Sequence, residues 1–166
     1  MPTAEQEPVD EFLYLWVLLA QTFDALVRAR ERDYAQFDIT NERRAVLFII
    51  DRNGGRATPV QIAGELFREL HSVTELLKRM EKAELILRHK GKGRSRVEVT
   101  LSDKGKDVLE QSRDNETEKR LFSTLTKRQR TQLAATLWKL RGKVLEDLGI
   151  REWELHLPEN PYEVEG

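Results

Sequence analysis

The sequence predicts a mainly α-helical protein with one small β-hairpin, and three observations support this fold class. Apolar residues recur with helical spacing through most of the 166-residue chain. The capping pattern Ser/Thr-x-x-Glu/Gln occurs at the start of three of the helical segments. Near the middle of the chain, the spacing changes to that of two short strands, joined by a loop rich in glycine and basic residues.

The first helix is predicted from Val9 to about Tyr34, because this segment contains no glycine or proline. Further apolar residues make its first half apolar on nearly all sides. A surface helix needs only one apolar face, so we expect this half to be buried on two sides. Its helical stripe consists of Phe12, Leu15, Trp16, Leu19, Phe23 and Leu26.

The next two helices are separated by a strong turn, Asn53-Gly54-Gly55. The second helix is predicted from about Asn41 to Asp51, with Thr40 as its cap. Thr58-Pro59-Val60-Gln61 forms a capping box that opens the third helix, which runs through about Phe67. The residues of the second helix that we expect to face inward are Val46, Leu47, Ile49 and Ile50.

The capping pattern Ser72-Val73-Thr74-Glu75 predicts the start of a fourth helix that reaches about Glu84. Two strand-like segments follow, 85–89 and 97–101, and the loop between them contains Gly91 and Gly93. This arrangement predicts a β-hairpin with a projecting basic loop.

Two helices complete the predicted fold. Ser102 caps one that extends to about Thr117, and the pattern Thr126-Lys127-Arg128-Gln129 opens another that runs to about Leu148. The apolar surface of the first and last helices exceeds what a small helical domain needs, which predicts a homodimer; a larger intramolecular core is the alternative. The apolar seam of the last helix contains Leu133, Leu137, Leu140, Val144 and Leu148, widened by Ala134, Trp138 and Leu145.

Charge is distributed unevenly although the net charge is only −1. Residues 86–96 contain five Lys/Arg and no acid, and residues 52–106 contain 13 Lys/Arg against seven Asp/Glu. Residues 150–166 contain five glutamates against Arg151 alone. The basic middle of the chain is therefore where we expect a polyanion to bind.

The order helix, capped helix, short turn, capped helix, basic hairpin predicts a winged helix-turn-helix with long N- and C-terminal dimerisation helices. Such a fold can place the fourth helix in the major groove of double-stranded DNA. Basic side chains in the hairpin loop repel one another, and a bound polyanion would neutralise this electrostatic repulsion. The predicted DNA-binding residues are Thr58, Gln61, His71, Ser72, Thr74, Glu75, Lys78 and Arg79, with Lys92, Arg94, Ser95 and Arg96 in the wing.

Residues 40–105 resemble the MarR (multiple-antibiotic-resistance regulator) family, and the flanking long helices match in place and length. The resemblance is carried by the segments 58–63, 72–86 and 97–105. It implies a homodimer with interlocked first and last helices that binds a pseudo-palindromic operator, often as a repressor. It also implies release of the DNA by a small aromatic ligand, and the residues expected near that ligand are Tyr14, Trp16, Phe37, Arg44 and Phe48.

The sequence departs from the family pattern at two places. Gly93 replaces the usual acid of the wing and Ser95 occupies the position of its key arginine, so the wing role is assigned to Arg94 and Arg96. Glu84 stands where glycine usually ends the recognition helix, which predicts a different shape for that helix end.

Other functional classes are disfavoured. The three histidines are far apart and have no spaced metal-binding partners, no glycine-rich phosphate loop follows a strand, and no cofactor is expected. The absence of cysteine agrees with the cytoplasm. The longest apolar run, Phe12 to Ala20, is nine residues, which predicts no membrane span. A winged-helix module that binds another protein instead of DNA is the remaining alternative.

The predicted organisation is one intertwined domain with four regions. Residues 1–38 and 106–150 serve dimerisation, residues 39–105 bind DNA, and residues 151–166 form an acidic tail.

Overall fold

The computed structural model describes residues 10–90, 97–114, 116–151, 155 and 160–162. The chain divides into two compact units, Met1–Asn41 and Glu42–Gly166. Helix α1 lies in the first unit, and helices α2 to α7 with three short strands follow in the second. Their order agrees with the prediction except for one additional strand, β1, and one additional helix, α6.

Helix α1 spans Glu11–Tyr34 and begins two residues later than predicted. The Asp10 side chain caps it by accepting a hydrogen bond from the backbone N–H of Phe12 at 2.9 Å. The expected burial on two sides is not found within one chain, because Phe12 and Trp16 are 73% and 75% exposed. The other exposed large apolar residues of this helix are Leu13, Tyr14, Leu15, Val17, Leu18, Leu19 and Phe23.

The segment Glu11–Phe37 is long and apolar enough to cross a membrane. Core helices of soluble proteins can have the same length and hydropathy. The nine-residue run Phe12–Ala20 is therefore not sufficient to exclude a membrane span. A short 3-10 turn, Ala35–Phe37, follows α1.

Helix α2 spans Asn41–Arg52, and its four predicted inward residues are all buried. Gly54 and Gly55 reverse the chain with φ of +72° and +84°, values that suit glycine. Helix α3 spans Pro59–Leu66 and has the predicted capping box. Thr58 Oγ1 accepts from Gln61 N at 3.2 Å, and Gln61 Oε1 accepts from Thr58 N at 2.8 Å.

Helix α4 spans Leu70–Lys82, so the predicted start at a Ser72 capping box is wrong. Glu69 occupies the N-cap position and makes no side-chain capping bond. Ser72 lies inside the first turn, and the Thr74 hydroxyl donates to the Leu70 carbonyl at 2.8 Å. The buried face of the helix consists of Val73, Leu76, Leu77 and Met80, as expected from the spacing.

The C-terminal end of α4 contains a left-handed residue, Glu84, with φ of +61°. Leu85 N donates to the Met80 carbonyl at 3.0 Å, and Glu84 N donates to the Glu81 carbonyl at 2.9 Å. Glutamate here takes the left-handed conformation that glycine adopts easily.

Strands β2, Ile86–Lys90, and β3, Val97–Leu101, form the predicted antiparallel hairpin, with Ile86 opposite Leu101 and Lys90 opposite Val97. A further strand, β1, consists of Arg56–Ala57 and pairs with β3, giving the order β1-β3-β2. This strand was not predicted. The loop 91–96 lies outside the described residues.

Helix α5 spans Asp103–Gln111, and Ser102 caps it by accepting from Gly105 N at 2.9 Å. Its predicted extension to Thr117 is wrong. The chain leaves the helix at Ser112, and a separate helix, α6, covers Glu116–Phe122. Asp114 Oδ1 accepts from Glu116 N at 2.9 Å at the start of this second helix.

Helix α7 spans Lys127–Leu148 and begins at the predicted Thr126 capping box. The predicted seam is largely exposed within the chain. The exposed fraction is 37% for Leu133 and 58% for Leu148, whereas Leu145 is buried. Of the acidic tail, the structure describes residues 151, 155 and 160–162.

Candidate nucleic-acid interface

The exposed face of α4 carries a line of polar side chains, which we call the recognition stripe. It consists of His71, Glu75, Lys78 and Lys82, whose spacing of 4, 3 and 4 places them on one side of the helix. All four are exposed. Ser72 and Arg79 are also exposed, beside the stripe, and Thr74 is half-buried at its other edge.

Within the stripe, Lys78 Nζ donates to Glu75 Oε1 at 2.7 Å. This hydrogen bond, together with the charge of Lys78, lowers the pKa of Glu75 below its ordinary value of 4.5. The carboxylate is therefore ionised at neutral pH. Both side chains are about half exposed, so the pair is accessible to a ligand and easily exchanged for other partners.

The N-terminus of α3 lies beside α4. Thr58 and Gln61 form the capping box described above, so the side-chain oxygen of Gln61, Oε1, already accepts a hydrogen bond from Thr58 N. The Gln61 amide nitrogen has no hydrogen-bond partner among the described residues, and it is available as a donor to an external acceptor.

A cavity of about 580 Å³, the α3–α4 groove, opens between the first turns of α3 and α4 and the two strands of the hairpin. It brings together three of the predicted DNA-binding residues, Thr58, Gln61 and Thr74. The remaining lining residues are Pro59, Val60, Leu70, Arg88 and Val97.

Two basic residues of this surface were not predicted. Arg88 reaches the groove from β2, and its Nη1 lies 3.5 Å from Glu81 Oε2. Its Nε is buried without a hydrogen-bond partner among the described residues. Alternation along β2 puts Arg88 on the same face of the strand as Ile86, but its position against α4 depends on the register of the hairpin. Lys82 continues the helical spacing from Lys78, and that signal was present in the sequence.

The described part of the wing consists of its two strands. Lys90 is exposed at the end of β2, and His89 Nε2 lies 2.9 Å from Thr100 Oγ1 of β3. The predicted wing residues Lys92, Arg94, Ser95 and Arg96 lie outside the described residues.

The start of α5 is hydrogen-bonded to the segment that follows α4, residues 83–85. The Ser102 hydroxyl donates to the Glu84 carbonyl at 2.5 Å, and Lys104 Nζ donates to the Ala83 carbonyl at 2.8 Å. The backbone N–H of Ser102 donates to the Leu85 carbonyl at 3.2 Å. The end of the recognition helix and the base of the wing are thus held at one place.

The residues predicted to lie near an effector fall in two units. In the first unit, Tyr14 and Trp16 are exposed and point in different directions, because residues two apart on a helix do not share a face. Phe37 is half-buried. In the second unit, the Arg44 guanidinium lies 5.3 Å from the centre of the Phe48 ring, so the structure brings these two together.

Among the residues that the structure describes, no group of three or more His, Cys, Asp or Glu side chains could hold a metal ion.

The chain is similar to several solved structures of transcriptional regulators. The organohalide-sensing regulator RdhR, in its 2,4-dichlorophenol-bound form, is 28% identical with a TM-score of 0.78, over 98% of this chain and 100% of that one. A mutant of MarR from E. coli in complex with operator DNA is 25% identical with a TM-score of 0.72, over 84% of this chain and 99% of that one. The S. aureus MepR–DNA complex is 28% identical with a TM-score of 0.66, over 81% of this chain and 99% of that one.

No family model matches the chain, and no curated protein sequence matches it. The similarity to RdhR covers 98% of the chain, so α1 lies within the matched part. Its apolar composition is thus compatible with the fold of a transcriptional regulator, and the similar proteins are regulators and not enzymes.

Proposed function

Because the chain is a winged-helix transcriptional regulator of the MarR family, we propose that it is a cytoplasmic repressor. In this proposal a homodimer binds a pseudo-palindromic operator, and a small aromatic ligand releases it. The proposal assigns base contacts to the polar side chains near the N-terminus of α4 and backbone contacts to the basic side chains further along this helix.

The observation that carries the proposal is the position of the recognition stripe next to the α3–α4 groove. An α-helix fits the major groove of B-DNA, and short polar side chains near its N-terminus can reach base edges. Ser72 and Glu75 are exposed in the first two turns of α4, while Val73 and Leu76 fix the helix to the core.

Basic residues around this surface support contact with the phosphate backbone. Lys78, Arg79 and Lys82 are exposed on α4, and Lys90 is exposed on β2. Cations that neutralise phosphates release bound counterions, which is the main source of affinity for DNA of any sequence.

The exposed apolar seam of α7 supports the homodimer. Leu137, Leu140 and Val144 are 41%, 47% and 46% exposed in a single chain, and they follow one another along one side of the helix. Contiguous apolar surface of this kind is typical of an interface. Two-fold symmetry would place two recognition helices about 34 Å apart, one turn of DNA.

The effector part of the proposal rests on a similar protein and on three residues of α2. RdhR, at 28% identity, has been crystallised with 2,4-dichlorophenol. In this chain, Arg44 and Arg52 lie 5.3 and 5.8 Å from the Phe48 ring centre, a combination of aromatic and cationic groups suited to a phenolate or an aromatic acid.

Binding of the purified protein to duplex DNA from upstream of its own gene tests the proposal. We would measure fluorescence anisotropy over a range of salt concentrations, with unrelated duplex as competitor. The expected result is sequence-selective binding with two chains per site and a steep loss of affinity with salt. Absence of binding to any duplex at low salt would contradict the proposal and favour the protein-binding alternative.

Two lysine variants make this experiment specific to α4. Lys78→Ala should lower affinity for all duplexes and reduce the salt slope by about one phosphate contact. Lys119→Ala is the matched control, because Lys119 also pairs with a glutamate three residues earlier at 2.7 Å, but on α6. Equal effects of the two variants would mean that the stripe is not at the interface.

A further inference from the structure

We infer that Glu75 determines the specificity of the recognition helix: it selects cytosine in the major groove and weakens binding to DNA that lacks cytosine at that position. The inference rests on the proposed function. It concerns the pairing of Glu75 with Lys78 and the chemistry of the base edges that this pair would meet.

The first observation is the isolation of the carboxylate. Between Leu70 and Met80, all described by the structure, Glu75 is the single acidic residue, and it lies in the middle of the recognition stripe. A carboxylate in this position opposes the attraction between the surrounding cations and phosphates. It therefore weakens DNA binding unless a hydrogen-bond donor in the groove compensates it.

The second observation is the state of the carboxylate. Its Oε1 accepts from Lys78 Nζ at 2.7 Å, and its Oε2 has no hydrogen-bond partner among the described residues. An ionised carboxylate can only accept hydrogen bonds. Oε1 is thus held by Lys78, whereas Oε2 can accept a hydrogen bond from a base.

Base chemistry then selects the partner. Guanine presents only acceptors in the major groove, and thymine presents an acceptor and a methyl group. Adenine presents a donor next to the N7 acceptor, which repels a second carboxylate oxygen but suits the amide of glutamine or asparagine. Cytosine presents the N4 amino donor, which a carboxylate accepts without an adjacent acceptor.

Lys78 couples base recognition to backbone contact. On DNA with cytosine, the N4 donor satisfies Glu75, and Lys78 is free to move to a phosphate, because an exposed ion pair holds it only weakly. On DNA without cytosine, the same movement leaves the carboxylate facing acceptor atoms. Lys78 then remains with Glu75, and one phosphate contact is not made.

Glu75→Gln tests this inference, because the variant keeps the size of the side chain but replaces an acceptor with a donor. The wild-type protein and the variant would each select duplexes from a random-sequence pool, followed by anisotropy titrations of the selected and unselected duplexes over a range of salt. We expect one position of each half-site to change from cytosine towards adenine. Discrimination against unselected DNA should fall by about tenfold, and the salt slope on unselected DNA should steepen by about 0.9.

Glu116→Gln is the matched control. Glu116 pairs with Lys119 three residues later at the same distance of 2.7 Å, so the variant removes the same charge from the same kind of pair on α6. It should select the wild-type motif with unchanged discrimination. Lys78→Met gives a second test: it should retain the preference for cytosine, while affinity falls more for selected duplexes, where Lys78 contacts a phosphate, than for unselected ones.

The outcomes separate the inference from the proposed function. If the wild-type protein selects a motif and Glu75→Gln selects the same motif with the same discrimination, the inference is wrong and the proposed function stands. If Glu75→Gln and Glu116→Gln change discrimination equally, total charge is responsible and the inference is also wrong. If the wild-type protein selects no motif, both are wrong.

Discussion

Gly105 packs so closely on the carbonyl oxygen of Leu85 that a β-carbon at position 105 would overlap this oxygen. Gly105 lies in the first turn of α5, and Leu85 lies between α4 and β2. The same Leu85 oxygen accepts the hydrogen bond from Ser102 N at 3.2 Å. The close approach of two backbone segments therefore requires glycine here.

Gly105→Ala should destabilise the protein by about 3 kcal/mol, because the added methyl group must displace backbone and not a flexible side chain. The expected shift would be measured as the change in the midpoint of chemical denaturation. Gly64→Ala is the control, since a β-carbon at Gly64 meets nothing within 4 Å. It should stabilise helix α3 by about 0.5–1 kcal/mol. A destabilisation of similar size in both variants would contradict the structural explanation.

Glu84→Gly should increase the free energy of unfolding by about 1 kcal/mol, because φ of +61° costs a residue with a β-carbon more than it costs glycine. Denaturation at several concentrations of protein would measure the gain. Glu84→Ala removes the same side chain but keeps the β-carbon, and it should give no comparable increase. If alanine stabilised the protein as much as glycine, the side chain and not the backbone would be responsible.

The sequence predicted most of the fold because most helix boundaries depend on local chemistry. The capping boxes at Thr58 and Thr126 and the cap at Ser102 each begin a helix where expected. At Ser72 the same pattern misled the prediction. Glu69 is extended and takes the N-cap position, and no glycine or proline follows it before Ser72, so α4 starts at Leu70 and the serine is internal.

The parts that could not be predicted depend on contacts distant in sequence. Strand β1 is only two residues long and exists through its pairing with β3, with Ala57 opposite Val99. No periodicity can indicate so short a strand. The place of Arg88 in the α3–α4 groove likewise depends on hairpin register. The recognition stripe, by contrast, follows from helical spacing alone, and most of it was predicted.

Two capping boxes of matched geometry separate stability from DNA binding. The backbone N–H of Thr58 and that of Thr126 each donate to a glutamine three residues later at 2.8 Å. Thr58→Ala and Thr126→Ala should each cost about 1 kcal/mol of stability. Only Thr58→Ala should also lower the affinity for operator DNA measured by anisotropy, because Thr58 borders the α3–α4 groove. An equal loss of affinity in both variants would show that Thr58 acts only through stability.

Leu137→Glu should convert the proposed homodimer to a monomer by placing a charge on the exposed seam of α7. The dissociation constant of the dimer should rise at least about 30-fold, as for a central interface residue. Sedimentation velocity at a series of protein concentrations would measure it. Ala135→Glu adds the same charge to the same helix, two residues away and off the seam, and should leave the dimer intact. A monomeric wild-type protein would contradict the prediction.

The pairing of Glu75 with Lys78 has a pH signature. The hydrogen bond and charge of Lys78 lower the pKa of Glu75, so the small stabilisation from the pair is present above pH 4.5 and is lost as the pH falls through the lowered pKa. In Lys78→Met the Glu75 carboxyl should titrate at higher pH, as followed by carbon NMR of the side chain. Lys119→Met should leave the Glu75 titration unchanged. An identical titration of Glu75 in wild type and Lys78→Met would exclude the pair in solution.

Ser102 joins three parts of the chain: it caps α5, its hydroxyl holds the Glu84 carbonyl at the end of α4, and it follows directly on β3. Lys104 adds a second link to the same exit of α4. The recognition helix and the wing cannot move relative to each other without breaking these hydrogen bonds. We therefore expect both to rotate together with α5. In the proposed homodimer, a ligand that rotated α5 would therefore change the spacing between the two recognition helices without deforming either DNA-binding surface, and control would be exerted through the geometry between subunits.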